Sequence, residues 1–172
     1  MSQTTSLLDV RTVAVSVADQ DRAVEFYVDT LGLEKRLDAP IGEGFRWIEV
    51  APPGAGVSIA LSPASDISPA GVDSGIRLTT VDADREHAAM RERGIDADDV
   101  LRWPDLPAMF TFRDVDGNTL YVVEVTASEL QRGHQSAHWT KSSLGHSKRV
   151  RPEEDGPTSS PTGPQSSSAP GV

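Results

Sequence analysis

The side chains that most often carry catalysis or bind metals are sparse in this chain. It has no cysteine, which excludes disulfides, cysteine-ligated zinc and thiol catalysis. Among its four histidines, only His87 precedes residue 128, and it falls on a predicted helix. His134 and His138 have the spacing that chelates a metal on a helix, but their segment is so polar that adventitious spacing is the favoured interpretation. We therefore expect no histidine metal site.

The remaining candidate side chains alternate along predicted strands, which would turn them towards a common cavity. Glu49 is the one carboxylate expected there, and a single carboxylate is a narrow basis for acid–base catalysis. Arg77 could pair with a ligand carboxylate or with Glu49, and both alternatives stay open. Trp47 is expected to stack against a ligand rather than fill the core. The candidate ligand-binding residues are Thr12, Trp47, Glu49, Ser58, Ala60, Arg77, Thr79 and Tyr121.

Strand and helix patterns would position these residues. In the segment 10–17, valines alternate with small or polar residues, which predicts a strand with one buried face. Asp19 is suited to cap a helix over residues 20–31, and Gly32 is suited to end it. Further strands are predicted near residues 33–37, 45–50 and 57–61.

A second unit follows a polar linker and matches the first at an offset of 63 residues. Asp19 aligns with Asp82, and valines of the first strand align with Ile76 and Leu78. An internal repeat of this size indicates two modules that pack against each other; coincidence between two ordinary strand–helix units is the alternative. The second unit is predicted to contain strands near residues 75–80, 100–103, 109–113 and 119–125 and a helix over 83–93.

Composition divides the chain into a folded part and a tail. The predicted fold class is α+β, with two tandem βαβββ modules at about residues 9–62 and 74–126 in a domain of residues 1–127. Residues 128–172 lack regular apolar runs and become rich in Pro, Gly and Ser, which predicts a disordered tail.

Charge narrows the expected partners. The formal net charge is −10, and the tail holds five Lys or Arg and four Asp or Glu, so the domain carries about −11. A body this acidic repels phosphate backbones and anionic lipid, which argues against nucleic-acid and membrane partners. No secretory signal and no apolar stretch of membrane-spanning length is visible, so a cytoplasmic protein is expected.

Four short segments occur in a recognisable order and spacing: VSVAD at 15–19, EFY at 25–27, LGL at 31–33 and FRDVDGN at 112–118. Together they resemble the vicinal oxygen chelate superfamily, which includes glyoxalases, bleomycin-resistance proteins and extradiol dioxygenases. The resemblance covers roughly residues 9–126. It implies modules whose sheets curve around a cavity, and a homodimer, because members often pair modules within or between chains.

The resemblance also locates the positions at which metal-dependent members carry ligands, typically His and Glu. These positions fall on Thr12, Ala60, Gly75 and Tyr121. Ala60 and Gly75 have no side-chain donor, and the other two residues offer only weak, neutral oxygens. The resemblance therefore implies a member without the usual metal ligands, and no cofactor is expected. A register error of one residue would weaken this inference, but it would also turn the buried valines out of the core.

Three functional hypotheses follow. The first is a metal-independent binding protein of the glyoxalase/bleomycin-resistance type that holds a small organic ligand in the sheet cavity. The second is a glyoxalase- or dioxygenase-like enzyme, a lyase or an oxidoreductase, with an atypical site. The third is an interaction module in which the tail matters more than the cavity. The missing ligands favour the first hypothesis over the second.

Overall fold

The alternating segments form two separate β-sheets in the computed structural model, which describes residues 6–42 and 44–130. The first sheet has four strands in the order β1-β4-β3-β2, and the second has three strands in the order β5-β7-β6. The fold is thus mixed α+β. The strands are β1 (Thr12–Val17), β2 (Glu34–Pro40), β3 (Arg46–Ala51), β4 (Ser58–Pro63), β5 (Asp73–Thr80), β6 (Met109–Arg113) and β7 (Thr119–Glu124). The predictions for the tail, including its disorder and the pair His134 and His138, lie outside the described residues.

Each sheet pairs its first strand in parallel with its last strand. β1 is parallel to β4, with Thr12 opposite Ser58, and β5 is parallel to β7, with Arg77 opposite Tyr121. The remaining pairs, β2 with β3, β3 with β4 and β6 with β7, are antiparallel. Consequently β1 and β5 each stand at an edge of their own sheet.

Aspartates begin both helices, as the sequence predicted. Asp19 Oδ1 accepts hydrogen bonds from the backbone N–H groups of Asp21 and Arg22 at the start of α1 (Gln20–Val24). Asp82 Oδ1 accepts one from Arg85 N–H in α2 (Ala83–Glu92). These caps satisfy donors that the first helical turn leaves unpaired.

The predicted first helix changes its pitch at its centre. Residues after α1 form a π-helical turn, Glu25–Thr30, and the N–H of Leu31 donates to the carbonyl of Phe26 at 2.8 Å. Two adjacent aromatic residues of this wider turn, Phe26 and Tyr27, are both buried. Helical spacing in the sequence could not distinguish it from a continuous α-helix.

The strand predicted near residues 100–103 does not form. Leu101 makes only an isolated bridge to Met109. Pro104 follows and has no N–H to donate, and Asp105 has a φ of 63°, which extended strands do not adopt. The second sheet therefore has three strands where four were expected.

The apolar core lies between the sheets and the helices and includes many of the residues that alternation assigned to it, although residues 48–51 and 58–61 are buried on both strand faces. Val15, Val17, Ile59, Leu61, Leu120 and Val122 are all at most 3% exposed. No helix within the described residues is long and apolar enough to span a membrane.

Candidate functional site

A cleft of about 550 Å³ lies between β1 of the first sheet and β5 of the second. This volume is within the range of small-molecule sites. Its lining on the side of the first sheet includes small residues, which leave space for a ligand: Ala14, Ala55 and Gly56. The apolar part of the lining comes from Val10, Val13, Val57, Ile59, Ile76 and Leu78.

The structure brings only three of the candidate ligand-binding residues to this cleft. Ser58, Arg77 and Thr79 line it. The other five do not; they are Thr12, Trp47, Glu49, Ala60 and Tyr121. Ala60, at 2% exposure, is buried. The candidates thus share strand faces as predicted but do not share one cavity.

The first polar cluster, called the Glu49 cluster, comprises Arg11, Trp47, Glu49 and Ser58. Trp47 Nε1–H donates to Glu49 Oε1 at 2.8 Å, and the Ser58 hydroxyl donates to Oε2 at 2.7 Å. The Arg11 guanidinium lies 3.8 Å from Oε2. These hydrogen bonds, that from Trp47 first, outweigh burial and lower the pKa of Glu49. The carboxylate, only 5% exposed, is therefore held ionised directly behind the cleft-lining Ser58.

The second polar cluster, called the Asp73 cluster, comprises Asp73, Gly75, Arg77 and Tyr121. The Tyr121 hydroxyl donates to Asp73 Oδ2 at 2.6 Å, and Gly75 N–H donates to Oδ1 at 2.9 Å. The Arg77 Cζ lies 4.9 Å from the centroid of the Tyr121 ring, and its Nη1–H donates to the Gly75 carbonyl. The hydrogen bond from Tyr121 is the largest cause that lowers the pKa of Asp73.

The Arg77–Glu49 ion pair, one of the two alternatives from the sequence, does not form. Glu49 pairs with Arg11 instead, whereas Arg77 lies over Tyr121. The two residues belong to different sheets, and parity along a strand gives no information on the separation between sheets.

A bulge in β5 shapes the second side of the cleft. The register between β5 and β7 shifts between Asp73 and Arg77, and Gly75 within this interval has a φ of 66°. Space is not the reason for glycine here, because a Cβ would meet no atom within 4 Å. The backbone conformation is the reason, since a side chain strains that region of φ.

The four positions at which the resemblance places metal ligands do not converge on a cluster of strong donors. The Thr12 hydroxyl donates to the Ser58 carbonyl at 3.0 Å, and Tyr121 is bonded to Asp73. Within residues 6–42 and 44–130, no group of three or more His, Cys, Asp or Glu side chains could hold a metal ion. His87 lies on α2 with its ring 5.2 Å from Phe110, outside the cleft lining.

Sequence reasoning missed one wall of the cleft. Residues 55–57 follow the Pro52-Pro53-Gly54 turn, which signalled only the end of a strand. No periodic signal could have found residues 55–56, because a loop wall has no period. Val13, Ile76 and Leu78 also line the cleft although alternation assigned them to the core, against which they pack only in part.

Comparisons with known proteins agree with this architecture. Residues 10–122 match the Glyoxalase/Bleomycin resistance protein/Dioxygenase superfamily. TnmS3, an antibiotic binding protein from Streptomyces sp. CB03234, is 33% identical, with a TM-score of 0.65 over 72% of this chain and 100% of TnmS3. A superfamily member from Sphaerobacter thermophilus DSM 20745 is also 33% identical, with a TM-score of 0.66 over 70% of this chain and 100% of that protein.

A curated bacterial relative is similar over nearly its whole length. YetH of Bacillus subtilis (strain 168) is 27% identical over 116 residues, which cover 67% of this chain and 97% of YetH. The family match spans well over half of the chain. The chain therefore belongs to the glyoxalase/bleomycin resistance protein/dioxygenase superfamily.

Proposed function

We propose that this protein is a metal-independent binding protein that holds a small organic molecule in the cleft between β1 and β5. The cleft itself carries the proposal: its volume of about 550 Å³ suits a metabolite-sized molecule, and its walls are mostly apolar. TnmS3, a similar protein, is an antibiotic binding protein. Apolar walls supply binding free energy by removing ligand surface from water, and a few fixed polar groups orient the ligand.

The chemistry of the side chains at the expected ligand positions supports metal independence. Ala60 and Gly75 have no donor atom, and neutral hydroxyls at Thr12 and Tyr121 are weak ligands for a divalent ion. Both hydroxyls also donate to other groups, Thr12 to a carbonyl and Tyr121 to a carboxylate. These residues do not fit the usual metal centre of the superfamily.

The alternative is an enzyme that uses Glu49 as a general base near the cleft. The geometry disfavours it, because both carboxylate oxygens accept hydrogen bonds that lower the pKa of Glu49. A base whose pKa lies below its ordinary value removes protons less readily at neutral pH. Turnover of a glyoxalase or catechol substrate that is lost in Glu49→Gln would favour the enzyme over the binding protein.

We propose further that the two sheets represent tandem modules that together enclose the ligand, and that the protein forms a homodimer. Exposed apolar side chains support the dimer: Leu101, Trp103 and Leu106 are 44%, 48% and 57% exposed. These side chains lie close together in sequence, within residues 101–106, and exposed apolar surface is typical of association sites. Sedimentation of the purified chain measures the state directly, and a monomer at micromolar concentration would contradict the dimer.

The binding proposal is tested by filling the cleft. Ala14 lines the cleft and is exposed, so Ala14→Trp adds bulk there without disturbing the core. Ala88→Trp, at an exposed position on α2, is the matched control. With the neutral fluorescent probe N-phenylnaphthylamine, we expect binding and a raised melting midpoint for the wild type and for Ala88→Trp, because a ligand that binds only the folded state stabilises it.

Ala14→Trp is expected to bind the probe at least about tenfold more weakly than the wild type, a loss of roughly 1.4 kcal/mol. Equal binding by all three proteins would place the probe elsewhere and overturn the assignment of the cleft. Absence of binding by the wild type would overturn the proposal for apolar aromatic ligands.

A further inference from the structure

We propose that Arg77 makes the cleft select apolar aromatic ligands that carry an anionic group, such as a carboxylate or a sulfonate. This inference rests on the proposed binding function and adds the chemical class of the ligand. Arg77 is the single residue from which that selectivity originates.

The Arg77 side chain is held in place before any ligand arrives. Its guanidinium lies over the Tyr121 ring at 4.9 Å, and Nη1–H donates to the Gly75 carbonyl at 2.9 Å. Tyr121 is itself fixed by its hydrogen bond to Asp73. A cation that is already positioned loses less conformational entropy on binding than a freely rotating side chain.

The Arg77 guanidinium forms no salt bridge within the described residues, although its charge helps to keep nearby Asp73 ionised. Asp73, the anion of the same cluster, already accepts from Gly75 N–H at Oδ1 and from the Tyr121 hydroxyl at Oδ2. A guanidinium has five N–H donors, so Arg77 retains donors for a ligand after the one bond to Gly75.

The other residues that line the cleft in the described part of the chain are uncharged, unlike Arg77. Their polar side chains are the neutral hydroxyls Ser58, Ser74 and Thr79. Glu49 is outside this lining, and its carboxylate accepts from Trp47 and Ser58 and lies 3.8 Å from the Arg11 guanidinium. The chain has a net charge of −10, which repels anions in general. Arg77 therefore provides a local positive site for an anionic group in a cleft that is otherwise apolar.

A pair of probes that differ by one anionic group tests the inference. Anilinonaphthalenesulfonate has the aromatic body of N-phenylnaphthylamine with an added sulfonate. We expect the wild type to bind the sulfonate probe more tightly than the neutral probe, and only the sulfonate probe to weaken as salt rises, because salt screens the charge interaction. This comparison requires no variant, so it does not depend on folding of a mutant.

Substitution then assigns the selectivity to Arg77. Arg77→Gln is expected to weaken binding of the sulfonate probe about tenfold or more and to leave the neutral probe within about twofold, because only the charge-assisted bond is lost. Arg85→Gln removes the same charge from an exposed position on α2 and should change neither probe. Circular dichroism confirms that the variants are folded.

Each remaining outcome contradicts the inference in a distinguishable way. Equal wild-type affinity for both probes overturns the anion preference while leaving the binding function intact. An equal loss of both probes in Arg77→Gln would show that Arg77 only supports the cleft wall, which also overturns it. If neither probe binds the wild type, the inference fails together with the proposed function.

Discussion

At the scale of single residues, the Glu49 cluster places a buried carboxylate within the first sheet. A buried carboxylate is costly unless its oxygens are hydrogen bonded, and here Trp47 and Ser58 satisfy them. Arg11 adds a charge of opposite sign on the solvent side. The cluster thus fixes the Ser58 side chain in the cleft wall.

Comparing Glu49→Gln with the wild type at different pH values should measure how much the ionised Glu49 carboxylate contributes to stability. The pKa of Glu49 is lowered in the folded state from its ordinary value of 4.5, so its stabilising contribution is present above that value and is lost as the pH falls through the folded pKa. At pH 7 we expect Glu49→Gln to be less stable than the wild type by about 1–3 kcal/mol in urea unfolding. The difference should shrink by pH 3.

The exposed Glu92→Gln on α2 is the control for this experiment and should unfold like the wild type at both pH values. A difference between Glu49→Gln and the wild type that is as large at pH 3 as at pH 7 would mean that packing, and not ionisation, accounts for the destabilisation.

At the scale of elements, the β5 bulge connects backbone conformation to the cleft. Gly75→Ala places a side chain at a φ of 66° and is expected to cost about 1–2 kcal/mol, measured by urea unfolding. Gly56→Ala is a close control, because Gly56 lines the same cleft, has open space around its Cβ and does not have a positive φ. If both substitutions cost the same, strain at the bulge is not the cause.

The sequence predicted most elements because alternation and capping are local signals. β1, β4 and β7 lie within two residues of their predicted bounds, and both capping aspartates were identified. The failures have nonlocal or conformational causes: the π-turn depends on how Phe26 and Tyr27 pack, and the segment around Leu101 is interrupted by Pro104 and the positive φ of Asp105.

The candidate site was less predictable than the fold. Parity assigned Thr12, Ser58, Arg77 and Tyr121 to one cavity; in the structure Thr12 lies opposite Ser58 in the first sheet and Arg77 lies opposite Tyr121 in the second. It could not reveal that the cleft opens between the edges of two sheets, which separates Glu49 from Arg77. That separation is set by packing between the sheets, and it leaves no periodic pattern in the sequence.

At the scale of the whole molecule, the 114–118 hairpin of the second sheet joins it to the first. The FRDVDGN segment that carried the family resemblance supplies this junction. The Tyr27 hydroxyl donates to Asp114 Oδ2 at 2.8 Å, and Ala18 N–H donates to Asp116 Oδ2 at 2.9 Å. Burial, followed by the charge of Asp114, raises the pKa of Tyr27, so its hydroxyl remains a donor.

Asn118 is the centre of this junction and is fully buried. Its Nδ2 donates to the Ser16 carbonyl in β1 at 2.8 Å, and its Oδ1 accepts from the N–H groups of Gly71 and Val72 at 2.8 and 3.2 Å. One side chain thus satisfies backbone groups from both units. Such a buried group is costly to remove, because each partner left unsatisfied carries its own desolvation penalty.

Asn118→Ala should therefore destabilise the protein by about 2 kcal/mol, since it removes one donor of the buried Asp114 carboxylate and the partner of three part-buried backbone groups. Tyr27→Phe, which removes one bond to Asp114 while Asn118 still donates to that carboxylate, should cost less, about 1 kcal/mol. Because the junction couples the sheets, Asn118→Ala should also accelerate amide exchange in β1 and β5 together. Faster exchange confined to the hairpin would show that the two sheets are stable independently and that their relative position, and with it the width of the cleft, is not fixed by this residue.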